Sequence, residues 1–477
     1  MPHRITGGLT RVPPVVRGLF FCLTPAVLAL GGCLQQTYDN PAGVVTDRER
    51  GVRQRLDAAS QIGPIAATAA PDATWKIFSN VVWSDRHPDA LRTQLMDELL
   101  AADAAKFWSE ADDRIVYVDS WPVMEHLFKL AVDRNQQAFT LTLVRSWARV
   151  SQRFTDDQRP ERDAIAKLNP GVEVDAVLWN VFTAPGSSPG VTPAHRAAAW
   201  TILHRLQSDA ALKQQLQQTT SDAPMVSDLR TAAAWLDVLP ANREQLVWLM
   251  DLRSDAALWQ AAAQRAAQFT PDQRRGLALR HLPLLAHASP AQLQQSTRDM
   301  QARLASRLRG AVVTQRRDLG GVDPRPAESF LELPQPLAWG DLLAIDMLLD
   351  QLARRDVRQA FFAQADADLD DTTTEAGGIL TFTDGPVAYA ADLASRDNQY
   401  VAPLSAIMAM HRNLAHYHFH AQQHDNAAFA GPGLGDLRFA ETFGGACVVL
   451  TFLDAQRLDV DYYLAAGVIV DLGAITR

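Results

Sequence analysis

Three histidines near the C-terminus, His416, His418 and His420, alternate with Tyr417 and Phe419. On a strand every second side chain shares a face, so the imidazoles would point one way and the aromatic rings pack the other. Imidazole is the commonest side-chain ligand for zinc and related metals, and a strand is a rigid place to fix two of them. His411 and His424 bring the count here to five of the chain's twelve histidines. About 45 residues upstream, Glu375 precedes the pair Gly377-Gly378 and an apolar run; downstream, the loop Gly431-Pro432-Gly433-Leu434-Gly435 leads to Asp436. Taken singly, Glu375 reads as a solvated carboxylate and Asp436 as a helix N-cap before Leu437.

Glu375-x-x-Gly378, then His418-x-His420, then a loop and Asp436 resemble the JAMM motif of the MPN-domain metalloproteases, a family with deubiquitinating and bacterial members. The resemblance covers roughly the last 120 residues. It implies that His418, His420 and Asp436 hold zinc, that a water takes the fourth position, and that Glu375 is the general base for hydrolysis of an amide or isopeptide bond. Ala421 stands where the family has proline, and Gly433 where it has the serine that stabilises the oxyanion. A backbone N–H at Gly433 is the expected substitute, since losing one such donor costs about 100-fold to 1,000-fold in rate. His416, His424 and Asp425 are the rival ligands; if one filled the fourth position, the site would be closed and structural.

At the other end, Arg4, Arg11 and Arg17 precede an apolar run from Gly18 to Leu30, too short for a stable bilayer span. It ends in Leu30-Gly31-Gly32-Cys33, which resembles the lipobox of bacterial lipoproteins. The resemblance implies removal of residues 1–32, acylation of Cys33 and anchorage of the chain to a lipid bilayer at the cell envelope. Leu34 follows the cysteine where an aspartate would retain the protein in the inner membrane, so the outer membrane, facing the periplasm, is expected.

Loss of residues 1–32 removes three arginines and no carboxylate, which takes the net charge from -9 to -12. An acidic surface argues against nucleic acid as a partner and leaves a protein or peptide substrate. Cys22 lies in the signal and Cys33 carries the lipid, so Cys447 has no partner for an intrachain disulfide.

The fold expected is multidomain. Residues 33–72, punctuated by Pro41, Gly43, Gly63, Pro64 and Pro71, read as a tether with some helix. Residues 73–318 are helical almost throughout, an all-α domain of solenoid-like or irregular-bundle type. Thr192-Pro193, Thr270-Pro271 and Ser289-Pro290 each supply an N-cap followed by proline at the first helical position. Trp200, Trp235 and Trp259 sit on apolar helical faces at unequal spacings of 35 and 24, which leaves a diverged helical-repeat array open but shows no sequence-level repeat, and the tryptophans are read as core. Residues 319–338 form a Gly/Pro-rich linker. Residues 339–477, opening with a helix from Trp339, form a smaller JAMM/MPN-like α+β domain with a mostly sequential sheet. The alternative to a zinc peptidase is a lipid-anchored helical scaffold or binding protein with a degenerate domain of that kind.

Overall fold

The structure, a computed structural model, describes residues 37–151, 153–311, 314, 328–333, 337–371, 373–391 and 401–477. The expected lipobox and Cys33 lie outside the described residues, as does most of the expected linker. The chain divides into two compact units, 1–102 and 103–477.

In the first unit, residues expected as a tether form the helices Pro41–Thr46 and Val52–Ile62, followed by Pro71–Val82 and Asp89–Ala102. Val45, Ala58, Phe78, Val81, Leu91, Leu95 and Leu99 are fully buried. Arg55 is buried as well, and its Nε donates to the Val45 carbonyl at 2.9 Å. There the guanidinium meets an orphan carbonyl at the end of a short helix.

The second unit is a large helical body followed by a smaller α+β part. All three Thr/Ser-Pro signals open helices with capping boxes, in which the cap hydroxyl and the side chain of His195, Gln273 or Gln292 satisfy each other's backbone N–H groups. Trp200 and Trp259 are core, but Trp235 is half exposed. Its helix, Pro224–Leu236, buries Val226, Leu229, Ala232 and Leu236, and Trp235 falls one residue off that stripe.

The α+β part is a six-stranded mixed sheet in the order β2 (Pro386–Tyr389), β1 (Gly377–Leu380), β3 (Ala415–His420), β4 (Cys447–Asp454), β5 (Arg457–Tyr463), β6 (Ile469–Thr476). Neighbours pair antiparallel except β3 and β4, which are parallel. A parallel pair needs a crossover, and the helix Leu434–Phe443 supplies it.

Alternation on β3 sorts its side chains between two layers. Tyr417 and Phe419 face the helix Arg355–Asp370, where Phe361 meets their rings edge-on at 5.1 and 6.2 Å. On the opposite face the crossover helix covers Cys447, Val449, Tyr463 and Ile469 with Ala440, Leu437 and Phe439. The histidines point into this second layer, where the His416 ring lies tilted against Phe439 at 4.8 Å.

Polar contacts tie the helical body to the segment that leads into β3 and to the helix Trp339–Ala353. Trp248 stacks on His411 at 4.8 Å and donates its indole N–H to the His411 carbonyl at 3.0 Å. Arg412 clamps Asp251 at 2.9 and 3.0 Å. Arg280 forks onto both oxygens of buried Asp341 at 2.9 and 3.1 Å, and His281 Nε2 adds a contact at 2.8 Å.

Candidate metal centre

β1 and β3 bring the candidate base and two candidate ligands together. Gly377 lies opposite His418 and Gly378 opposite Tyr417. Glu375, two residues before Gly377, therefore shares the face of His418 and comes up beside His420 at the strand's end. Gly378 is required there, because a Cβ would run into the Val387 carbonyl and stand 2.6 Å from the Tyr417 hydroxyl. Donor atoms of Glu375, His418 and His420 all lie within 4.8 Å of one another.

Asp436 arrives from the crossover helix. It is not the N-cap expected from sequence. The N-cap is Gly433, and Asp436 at N3 turns its Oδ2 back to accept the Gly433 N–H at 2.7 Å. Its Oδ1 stands 3.3 Å from His418 Nε2, and its Oδ2 3.9 Å from His420 Nε2. The Gly433 N–H, expected to replace a serine at an oxyanion, is thus committed to the Asp436 carboxylate.

The spacing of His418 and Asp436 fits a zinc ion. Two donors about 2.0–2.1 Å from a tetrahedral ion lie roughly 3.3–3.4 Å apart, close to the His418–Asp436 spacing. His418 is buried, and its Nε2 has no hydrogen-bond partner of good geometry despite the nearby carboxylate. His420 Nδ1 donates to the Phe429 carbonyl at 2.7 Å, which fixes the ring and puts its lone pair on Nε2. Two imidazoles and one carboxylate are the donor set of an open, catalytic zinc site rather than a closed structural one.

Charges within the cluster are strongly coupled. Burial alone would depress the His418 pKa, but Asp436, with Glu375 and Asp368, outweighs it and holds the imidazole above its ordinary value. Burial works against ionisation of Asp436 too, and His418 and His420 reverse it, holding that carboxyl well below its usual range. His416, a rival ligand, is pushed down to about 3 by burial and then by His418. His424 and Asp425, the other rivals, are exposed, and the His424 ring lies on Phe452 at 5.0 Å.

Four neighbours of the site carry no sequence signal. Asp368, at the end of the helix Arg355–Asp370, accepts the Ala376 N–H beside Glu375, and burial lifts its pKa to about 7. Gln422 donates to Glu375 Oε1 at 2.7 Å, and Asn426 donates to Gln422 Oε1 at 2.9 Å. Cys447 is also on this face, but burial raises its thiol to about 12, so it is packing and not a nucleophile. On the same sheet face, buried Asp459, Asp461 and Asp471 bring carboxylate oxygens within 4.8 Å of one another.

Among the described residues no helix is long and apolar enough to cross a membrane. No protein-family model, curated protein or solved structure matches this chain.

Proposed function

We propose that this chain is a cell-envelope lipoprotein, anchored through acylated Cys33, whose C-terminal α+β part hydrolyses an amide or isopeptide bond at a zinc ion held by His418, His420 and Asp436. The observation that carries this reading is the convergence of Glu375, His418, His420 and Asp436, far apart in sequence, on one end of one sheet face. Zinc bound there supplies Lewis acidity and brings the pKa of water down to about 7.

The protein's own groups do the rest. Glu375 accepts the proton of the attacking water and returns it to the leaving amine, a role worth about 100-fold to 10,000-fold in rate. Phe429 fixes the His420 ring through its carbonyl, and the Gly433 N–H fixes Asp436. The acidic mature chain argues for a protein or peptide substrate over a nucleic acid.

The experiment is a peptide and isopeptide hydrolysis screen of the zinc-loaded protein, lacking residues 1–33, against Glu375→Gln. The reading expects turnover in the wild type only, with equal zinc in both. Equal rates in the two would overturn it. A second reading, metal binding without turnover, is favoured by one observation: Gly433, where the family's oxyanion serine would stand, has its N–H engaged by Asp436.

A further inference from the structure

The loop after β3 carries a chain of side-chain amides that ends on the general base. A carboxylate only accepts hydrogen bonds, so the Gln422 group 2.7 Å from Glu375 Oε1 is its NH2. The Gln422 oxygen therefore faces Asn426, whose NH2 donates to it at 2.9 Å and to the His420 carbonyl at 3.0 Å. The remaining Asn426 oxygen accepts from Gln423 Nε2 at 3.2 Å, and the Asn426 backbone N–H donates to the Phe452 carbonyl at 2.9 Å. Each amide has one self-consistent orientation. Asn426 is 2% exposed, so its two donors act where water competes little and each bond is worth more than at the surface.

We propose that Gln422 is a positioning residue that aims the Glu375 carboxylate at the metal site, and that Asn426 ties base and ligand together by holding Gln422 and the His420 backbone at once. Glu375 precedes β1 and belongs to no regular element, so the strand pairing alone does not fix its side chain. The amide chain supplies what the backbone does not. It joins the base to the same strand end that presents His420.

This inference rests on the zinc-hydrolase reading, and its test separates the two. Crystal structures of the metal-free wild type and Gln422→Ala read the geometry directly. Glu375 is expected in one rotamer in the wild type and spread over several in the variant; one unchanged rotamer in both overturns the proposal whatever the activity. Kinetics supply the second arm. Gln422→Ala lowers kcat about 10-fold to 100-fold at unchanged KM and zinc content, and Gln422→Glu, which sets a second carboxylate against the first, falls further. In a Glu375→Gln background Gln422→Ala costs nothing more, because the two act as a unit. Asn426→Asp, nearly isosteric, offers the Gln422 NH2 a rival acceptor and reproduces the kcat loss. A wild type that hydrolyses substrate, with Gln422→Ala as fast as wild type, removes the positioning role alone. A wild type that binds no zinc and hydrolyses nothing removes the hydrolase reading and, with it, the catalytic purpose of the positioning.

Discussion

Gly378 of β1 lies directly opposite Tyr417 of β3, and the tyrosine hydroxyl sits 2.6 Å from where a Cβ on that glycine would be, donating instead to Gln364 Oε1 at 2.6 Å. The missing side chain is what lets the aromatic partner of the histidine strand lie flat against β1. Gly378→Ala must therefore push β1 off Tyr417 or off the Val387 carbonyl. We expect a loss of about 1–3 kcal/mol in urea unfolding, the range for an overpacked site, together with reduced hydrolysis as the shift of β1 carries along Glu375, two residues before it.

Asp341 is buried beneath both nitrogens of the Arg280 fork and the His281 ring. Burial opposes its ionisation, but Arg280 and His281 dominate and hold its carboxyl far below the ordinary range. Asp341→Asn keeps the shape and removes the charge, leaving the partly buried Arg280 guanidinium without its counterion. Breaking a fully buried pair from one side costs about 3–5 kcal/mol, so equilibrium unfolding at neutral pH should show a loss near or below the lower end of that range.

His411 gives stability a pH dependence with a definite sign. Burial lowers its pKa to about 4, opposed by Asp251 and reinforced by Arg412. In the unfolded chain the imidazole takes its proton near 6.5, while the folded protein keeps it neutral down to about 4. Below pH 6.5 the unfolded state binds more protons, so the contribution is complete above 6.5 and is lost as pH falls through 4. Its size is on the order of 3 kcal/mol. His411→Phe preserves the stack on Trp248 and removes the titration, so the wild type should lose more stability than the variant between pH 7 and pH 4. Parallel pH curves for the two proteins would contradict this.

Much of the α+β part was legible because its signals are local. Alternation predicted the strand over Leu414 to His420, and the structure has it at Ala415–His420. Thr-Pro and Ser-Pro pairs marked helix starts because an N-cap and a following proline act within one turn. The crossover helix is capped at Gly433, three residues before the expected Asp436, since a carboxylate at N3 satisfies a backbone N–H as well as one at the cap does. What stayed hidden depends on contacts with no periodic signature. Gln422 and Asn426 read as ordinary loop polarity, and only the fold reveals that Asn426 is buried. Trp248 and His411 are 163 residues apart, and nothing in either segment announces the other.

The account depends most on a zinc ion held by His418, His420 and Asp436. The direct measurement is a zinc titration of the metal-free protein, lacking residues 1–33, followed by metal analysis after dialysis, with His418→Ala alongside. The wild type is expected to hold one tightly bound equivalent, and His418→Ala to lose it. A wild type that retains no zinc, or a His418→Ala protein that retains as much, would contradict it.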